Sequence, residues 1–353
     1  MSISRSISLL RRLQFIPTLV KASSRTKSCK AMAMSTSDGD VYVGTTERGL
    51  TQELQFPVPW GHIAAKAWGD PLGRPVLGLH GYLDNANTFD TLAPLLPKDL
   101  YFVSVDLTGH GRSSHLPPGI SYKTYENYLV DVHRVVLALG WKKFSLIAHS
   151  MGAGIAMTYS AVFPASVERL TVLDLSGPIY YPLEGTVQRL VDAVKRKLEM
   201  EKTSELPPHV YSREEALQKL LKGNISKLTR EAGSVLLERG AREVEGGVVF
   251  TRDLKLKSPG FFYRTPKQTE EMVKGIKCPV LMLRATESLA SGYEQERAKR
   301  FVPLFEANSC QFTLIQVEGN HHVHLNHPER VAPHIRAFFT LDSTTQPQPD
   351  SKL

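Results

Sequence analysis

The segment FSLIAHSMGAG, from Phe144 to Gly154, constrains the fold more than any other stretch of the chain. Its first half is a short apolar run, typical of a buried strand, and its second half has the small and apolar residues of a packed helix. Ser150 stands at the junction with no loop between the two elements. A serine on such a strand-to-helix turn projects from the carboxyl edge of a parallel sheet. The segment therefore predicts an α/β fold with a hydroxyl exposed at that edge.

The residues around Ser150 follow the pattern G-x-S-x-G of a nucleophilic serine, with Ala148 in place of the first glycine. Positions two before and two after the serine must be small, because larger side chains collide across the turn. Ala148 and Gly152 meet this demand, and the helix N-terminus favours negative charge near the serine. The simpler alternative is a serine that caps an ordinary helix.

A second candidate element is the segment LHGYLDN, at 79–85, which follows an apolar run. In the architecture of a nucleophilic turn, this loop donates one backbone N–H group to an oxyanion hole. The predicted donors are the backbone amides of Tyr82 and Met151, and Gly81 allows a close approach. His80 is interpreted as a structural residue that orients the loop.

The general base is expected near the C-terminal end, where four histidines follow the last apolar run: His321, His322, His324 and His327. A loop between a strand and a helix suits His321, with His322 as the alternative base. The H-H-x-H spacing could also bind a metal ion. No carboxylate or cysteine accompanies it in a fitting sequence pattern, so no metal and no cofactor are predicted.

The acid that orients the base has two candidates, Asp174 and Glu287, each after an apolar run. The second position is the commoner one in this architecture, but Ser288 stands where its acid is expected. Asp174 is favoured, and Glu287 remains the alternative acid; either choice keeps the chain order of serine, acid and histidine. Asp106 is interpreted as a structural residue that holds backbone amides.

Apolar runs alternate with helical patterns over 61–176 and 265–340, which predicts a mostly parallel, doubly wound sheet with helices on both faces. Segments 50–58 and 60–69 are predicted to form a hairpin, and 86–96 a helix. The predicted organisation is an N-terminal extension at 1–37, a core at 38–177 and 266–341, a helical cap at 178–265 and a flexible tail at 342–353.

The charge is concentrated at the N-terminal end. Seven basic residues precede the first acid, Asp38, and account for all but one of the net charges of +8. The rest of the chain is nearly neutral, so it lacks the footprint of a nucleic-acid binder. It also has no stretch of 18 apolar residues that would span a membrane. The three cysteines, Cys29, Cys278 and Cys310, form neither a disulfide framework nor a zinc pattern, which favours a reducing compartment.

The two ends give different expectations for localisation. The basic, Ser-rich segment 1–37 resembles a mitochondrial transit peptide or a disordered extension. The final residues Ser351, Lys352 and Leu353 form the S-K-L signal that a peroxisomal import receptor binds. Translation from Met32 or Met34 would leave only the second signal, so a peroxisomal protein, with a cytoplasmic or mitochondrial pool, is expected.

The assembled motifs resemble the α/β-hydrolase superfamily and, within it, the serine hydrolase-like proteins, which are peroxisomal or cytoplasmic. The resemblance spans roughly 50–340 and rests on LHGYLDN, VDLTGHGRSS, IAHSMGAG, EGNHHVHLNHPE, the cap segment GGVVFTRDLKLK and the terminal S-K-L. It implies a nucleophile at Ser150 and a helical cap. Ala148 and Ser288 depart from the usual pattern.

The predicted function is that of a serine hydrolase, because relatives that form an alkyl ester need aspartate at the position of Ser150, whereas serine suits acyl transfer. A carboxylic ester or thioester would react through a Ser-His-acid triad and an acyl-enzyme intermediate. The alternatives are a ligand-binding protein without catalysis, or a lyase or cofactor-free oxygenase on the same scaffold. Cap aromatics are expected either to line an acyl pocket or to form the cap's own core: Tyr180, Tyr181, Phe261, Phe262 and Tyr263.

Overall fold

The computed structural model describes residues 40–46, 49–122, 125–204, 207–223, 227–258, 264–288 and 291–340. The predicted extension at 1–37, the tail with its S-K-L signal and the cap aromatics at 261–263 lie outside the described residues. The described chain contains the whole of the predicted core strands.

A mixed sheet of nine strands organises the described residues, in the order β1-β2-β3-β5-β4-β6-β7-β10-β11. The strands from β4 to β11 in this order run parallel to their neighbours, and β1, β2 and β3 form an antiparallel edge. The predicted hairpin is confirmed as β2–β3, and β1 adds a strand that the sequence analysis missed. The bounds are β1 Asp40–Thr46, β2 Gly49–Val58, β3 Gly61–Trp68, β4 Arg74–Leu79, β5 Leu100–Val105, β6 Phe144–His149, β7 Val167–Leu173, β10 Val280–Ala285 and β11 Phe312–Val317.

The helices flank this sheet and fill the insertion between β7 and β10. Of the helices in the described part of the chain, none is long and apolar enough to cross a membrane. The bounds are α1 Tyr125–Ala138, α2 Met151–Val162, α3 Thr186–Ser204, α4 Arg213–Gly223, α5 Arg230–Gly240, α6 Pro266–Lys274, α7 Gly292–Asn308, α8 Val323–Asn326 and α9 Pro328–Thr340.

The prediction of a helix over 86–96 is wrong. Two short 3-10 turns occupy this stretch, at Ala86–Phe89 and Ala93–Leu95. Pro94 has no N–H group and would clash with the preceding turn of a continuous α-helix, so the helix cannot extend through it. Asn85 caps the first turn by accepting a hydrogen bond from the Asn87 amide at 3.0 Å.

The core lies on both faces of the sheet, as expected for strands covered by helices. Every residue of β5 and of β6 is buried. Phe144 packs with Met157 of α2 on one face, whereas Ile147 packs with Phe338 of α9 on the other. Successive side chains of β6 thus pack into opposite apolar layers, which hold the strand in place. The turn at its carboxyl end is held in place with it.

The insertion between β7 and β10 carries α3, α4 and α5 and a hairpin that the sequence analysis did not predict, β8 Ala241–Val244 and β9 Gly247–Phe250. Buried ionic contacts tie it to the sheet. The Nε atom of Arg239, in α5, donates to Asp106 Oδ2 at 2.7 Å, and its Nη1 lies 2.8 Å from Glu53 Oε1. Asn85 donates to the backbone carbonyl of Leu236 at 2.9 Å. The cap is therefore held by polar contacts to loops at the carboxyl edge of the sheet.

Candidate active site

Ser150 occupies the turn between β6 and α2 in a strained backbone conformation, with φ 50° and ψ −116°. A residue with a Cβ atom rarely adopts this region, and its presence marks a tightly determined turn. The Ser150 amide donates to the Leu173 carbonyl at 3.1 Å. A Cβ atom at Gly152 would lie 2.3 Å from the Leu79 carbonyl oxygen, so this position requires glycine. The turn is thus pressed against the end of β4, as the small-residue pattern predicts.

His321 and Asp174 converge on Ser150 from the ends of two other strands. Ser150 Oγ lies 2.8 Å from His321 Nε2, and His321 Nδ1 lies 2.5 Å from Asp174 Oδ2. The carboxylate only accepts hydrogen bonds, so Nδ1 carries the proton and Nε2 is left to accept from the serine hydroxyl. This is the geometry of a nucleophile, a general base and an orienting acid.

The acid is fixed by residues at the end of β10. Asp174 has a left-handed backbone, with φ 54°. Its Oδ1 accepts from the Ala285 amide at 2.7 Å, and its Oδ2 accepts from Ser288 Oγ at 2.5 Å. Ser288 therefore stands where the commoner pattern has an acid and donates a hydrogen bond to an acid from the neighbouring strand. The structure does not bring the alternative acid, Glu287, to His321: its carboxylate is exposed and lies 3.4 Å from Lys227 Nζ.

The other histidines of the C-terminal cluster contact different groups. The alternative base, His322, points its Nε2 at Asp84 Oδ2, 3.0 Å away, and not at Ser150. His324 Nε2 lies 2.9 Å from Thr88 Oγ1. His327 is half-buried, with Nδ1 3.5 Å from Glu329 Oε1. Of the four histidines, the structure brings His321 to the serine.

Asp84 and His149 are site residues that the sequence analysis missed. His149 Nε2 donates to the His321 backbone carbonyl at 2.9 Å, and its Nδ1 lies 3.4 Å from Asp84 Oδ2. Burial lowers the pKa of His149 to about 4, although Asp84 opposes this shift. Burial raises the pKa of Asp84, but His322 and His149 lower it more, so its net pKa lies well below the usual value. The hydrogen bond from His149 therefore holds the backbone of His321 in place.

The sequence pattern shows no carboxylate beside these histidines, but the fold brings Asp84 to His322 across 238 residues of sequence. Ligand atoms of Asp84, His149 and His322 lie within 4.8 Å of one another, and two imidazoles with one carboxylate form a donor set that zinc uses. In this structure His149 Nε2 donates to the His321 carbonyl and His322 Nε2 lies 3.0 Å from Asp84 Oδ2. The contacts described for this group thus form a hydrogen-bond network that includes the His321 backbone.

The loop after β4 lies beside the serine turn. A Cβ atom at Gly81 would come within 2.6 Å of His149 Nδ1, so only glycine fits there. Tyr82 follows it, and its hydroxyl donates to the Leu256 carbonyl at 3.1 Å. Met151 begins α2, where the first backbone amides have no acceptor within the helix. Of the two residues predicted to donate to an oxyanion, Met151 follows Ser150 directly and Tyr82 lines the same cavity as Ser150.

His80 and Asp106 hold these loops in place. His80 is buried, with Nδ1 2.7 Å from the Gly81 carbonyl and Nε2 accepting from the Leu107 amide at 2.9 Å. Asp106 accepts from the Ala86 amide at 2.8 Å and from Arg239. Both side chains make the structural contacts expected from the sequence.

A cavity of about 1170 Å³ opens above Ser150 and reaches under the cap. Tyr82 and Tyr211 contribute aromatic side chains to its wall. Tyr180 does not line it but packs against Phe301, with ring centroids 5.7 Å apart, and Tyr181 is also absent from the described wall. For these two cap aromatics neither expectation holds, because Tyr180 packs against the core beneath the cap and Tyr181 is exposed.

The α/β-hydrolase fold model matches residues 74–328. The chain is 38% identical to the serine hydrolase-like protein of Danio rerio over 317 residues, covering 88% of this chain and 95% of that protein. This chain belongs to the serine hydrolase-like group of the α/β-hydrolase family. Serine hydrolase-like protein 2 of Homo sapiens is also 38% identical, over 82% of this chain and 94% of that protein.

A solved structure of a hypothetical protein from Pseudomonas aeruginosa PAO1 shares this fold. Its TM-score is 0.70 and its identity 32%, with 81% of this chain and 97% of that chain covered. The fold and family predictions are therefore confirmed, and the family indicates a hydrolase as the general class.

Proposed function

We infer that this α/β-hydrolase cleaves a carboxylic ester or thioester through a Ser150–His321–Asp174 triad. The observation that carries this proposal is the unbroken chain of contacts, 2.8 Å from serine to histidine and 2.5 Å from histidine to aspartate. The strained turn at Ser150 and the adjacent cavity support it, because they expose the hydroxyl to a bound acyl group. No cofactor is required for this chemistry.

In the proposed reaction, His321 Nε2 takes the proton of Ser150 as the oxygen attacks the acyl carbon. The Tyr82 and Met151 amides stabilise the negative charge that develops on the carbonyl oxygen. His321 then protonates the leaving alcohol or thiol, which departs as the acyl–Ser150 ester forms. A water molecule, deprotonated by His321, attacks this ester and releases the carboxylic acid and the free serine.

The test is labelling with a fluorophosphonate probe together with turnover of a short-chain 4-nitrophenyl ester. Wild type should be labelled and active. Ser150→Ala should lose labelling, and His321→Ala should lose turnover by about 10³-fold or more. Circular dichroism and a thermal melt of each variant serve as controls for folding.

Labelling that persists unchanged in Ser150→Ala would contradict the proposal. A wild type that binds acyl ligands but has no turnover dependent on His321 would favour a non-catalytic binding protein instead.

A further inference from the structure

One wall of the cavity above Ser150 is strongly basic. Lys219 of α4, Arg252 after β9 and Lys257 of the 3-10 turn Leu254–Lys257 all line the same cavity as the serine. Lys219 and Lys257 are exposed, whereas Arg252 is half-buried. These three residues form a cationic cluster, and all three belong to the cap insertion.

Aromatic rings hold two of these cations in place. Arg252 Cζ lies 4.3 Å from the centroid of the Phe250 ring, and Lys219 Nζ lies 5.2 Å from the centroid of the Tyr211 ring. Partial desolvation in the cavity wall, and then repulsion from Arg252 and Lys219, lowers the pKa of Lys257. The three positive groups thus line one cavity, which is an arrangement that a bound anion stabilises.

The acidic residues of the cavity have other close partners. Burial lowers the pKa of Arg252, and the attraction of Asp84 opposes this shift without overcoming it. Glu287 pairs with Lys227, and Glu294 pairs with Arg297. Glu215 accepts a hydrogen bond from the Ser212 amide at 2.8 Å. Asp84 contacts His322 and His149. Within the described ranges, no acidic side chain forms an ion pair with Lys219, Arg252 or Lys257, so the positive charge of the cluster faces the cavity.

We propose that the substrate carries a second group, a carboxylate or phosphate remote from the reacting carbonyl, and that Lys219, Arg252 and Lys257 bind this anion. The proposal rests on the proposed function and specifies its substrate class: an anionic acyl ester or thioester. Hydrogen bonds between cationic side chains and an anion are stronger than neutral ones, and guanidinium matches the geometry of both anions. The residues at the sheet edge would then catalyse the reaction, and the cap would select substrates that carry an anionic group.

The experiment compares two matched pairs of substrates that differ in the anion. The first pair is butyryl-CoA and butyryl-N-acetylcysteamine, which tests phosphate on the leaving group. The second is mono-4-nitrophenyl glutarate and 4-nitrophenyl pentanoate, which tests a carboxylate on the acyl group. The variants are the double variant Lys219→Gln/Lys257→Gln, whose exposed positions tolerate the change, and Arg252→Met with its conservative partner Arg252→Lys. Lys195→Gln, which removes a charge of the cap outside the cavity wall, is the matched control.

For one pair, the double variant and Arg252→Met should lose about tenfold or more in kcat/KM on the anionic member, mainly through KM. The neutral member should change less than about twofold, and Lys195→Gln should behave as wild type. Arg252→Lys, which keeps the charge but not the guanidinium geometry, should lose less than Arg252→Met. The pair that responds identifies the source of the anion. Equal losses on both members of each pair, or no loss on either anionic member, would overturn the proposal.

Failure of the proposed function gives a different result. Calorimetric titration of Ser150→Ala with coenzyme A and with glutarate measures anion binding without turnover. Binding of either anion that weakens when Lys219 and Lys257 are also replaced, in a protein whose wild type cleaves none of the four substrates, would support the anion site and contradict the hydrolase. Absence of binding for both anions would overturn the anion site alone.

Discussion

The carboxyl edge of the sheet and the cap insertion form opposite sides of one cavity but differ in how their side chains are held. At the sheet edge, Ser150 and Asp174 follow directly on β6 and β7, and His321 lies in the loop after β11. His321 contacts both of the others at hydrogen-bond distance. In the cap, Lys219 and Lys257 are exposed, and Lys219 Nζ lies 5.2 Å from the centroid of the Tyr211 ring. The side chains at the sheet edge are held in fixed positions by hydrogen bonds, whereas those of the cap bring positive charge to the cavity.

This difference suggests a division of roles. Chemistry that needs atoms placed within a fraction of an ångström belongs on rigid strand ends. Recognition of an ionic group tolerates longer and more flexible side chains, because electrostatic attraction falls off gradually with distance. Substitutions at the edge should therefore change kcat, and substitutions in the cap should change KM and substrate preference.

The largest expected effect distinguishes the two candidate acids, Asp174 and Glu287. Asp174→Asn should reduce kcat by about 10⁴-fold, because an amide no longer fixes the His321 tautomer that accepts the serine proton. Glu287→Gln should leave kcat within about twofold, since Glu287 is exposed and paired with Lys227. Steady-state kinetics on a 4-nitrophenyl ester would check both. Comparable losses in the two variants would contradict the assignment of the acid.

The next effect concerns the attachment of the cap to the core. Arg239→Met should lower the free energy of unfolding by about 3–5 kcal/mol, because it leaves the buried Asp106 carboxylate without its ion pair. Arg213→Met, which breaks an exposed pair with Glu243, is the control and should cost less than about 1 kcal/mol. Urea unfolding measures both. An equal, small cost for the two variants would show that the cap does not depend on this contact.

A smaller effect is expected at Ser288, which acts through the acid. Ser288→Ala removes the donor 2.5 Å from Asp174 Oδ2 and should reduce kcat about tenfold with little change in KM. Ser288→Thr keeps the hydroxyl and should restore most of the rate. A threonine variant as slow as the alanine variant would assign the loss to packing rather than to the hydrogen bond.

The smallest effect expected for a single residue is the contribution of one buried core histidine to the pH dependence of stability. Burial is the largest cause of the lowered pKa values of His80, His110, His149 and His324. The unfolded chain binds these protons near pH 6.5 and the folded chain does not, so the free energy of unfolding should fall as the pH drops below about 6.5. Each such group contributes at most about 1.4 kcal/mol per pH unit.

Urea unfolding at several pH values between 7 and 5 would measure this slope. His324→Asn should make it shallower by up to one proton's contribution. A free energy of unfolding that stays constant over this range would contradict the interpretation that these rings are buried in the neutral form.

Structure can be predicted from the sequence most readily where a constraint is local. The turn at Ser150 requires small residues at 148 and 152 whatever lies elsewhere, so the pattern can be read without the fold. Strand β6 is equally recognisable, because a strand that is buried on both faces is a short apolar run in the sequence. The helices α6 and α7 and the hairpin β8–β9 were missed. Helix α6 could have been found, because Thr265 and Gln268 form a capping box and Pro266 stands in its first turn.

The sequence by itself determined the class of the fold, the position of the strained serine and a short set of bases and acids. Only the tertiary structure decided which members of that set meet. Asp174 and His321 are 147 residues apart, and their contact depends on the parallel order of β7, β10 and β11, which no spacing reveals. The same holds for Asp84 beneath His149 and for the cationic cluster over the cavity. Steric constraints of a turn act between residues that are neighbours in sequence. Hydrogen bonds and ionic contacts act between residues that are neighbours in space, and the order of the strands in the sheet decides which residues these are.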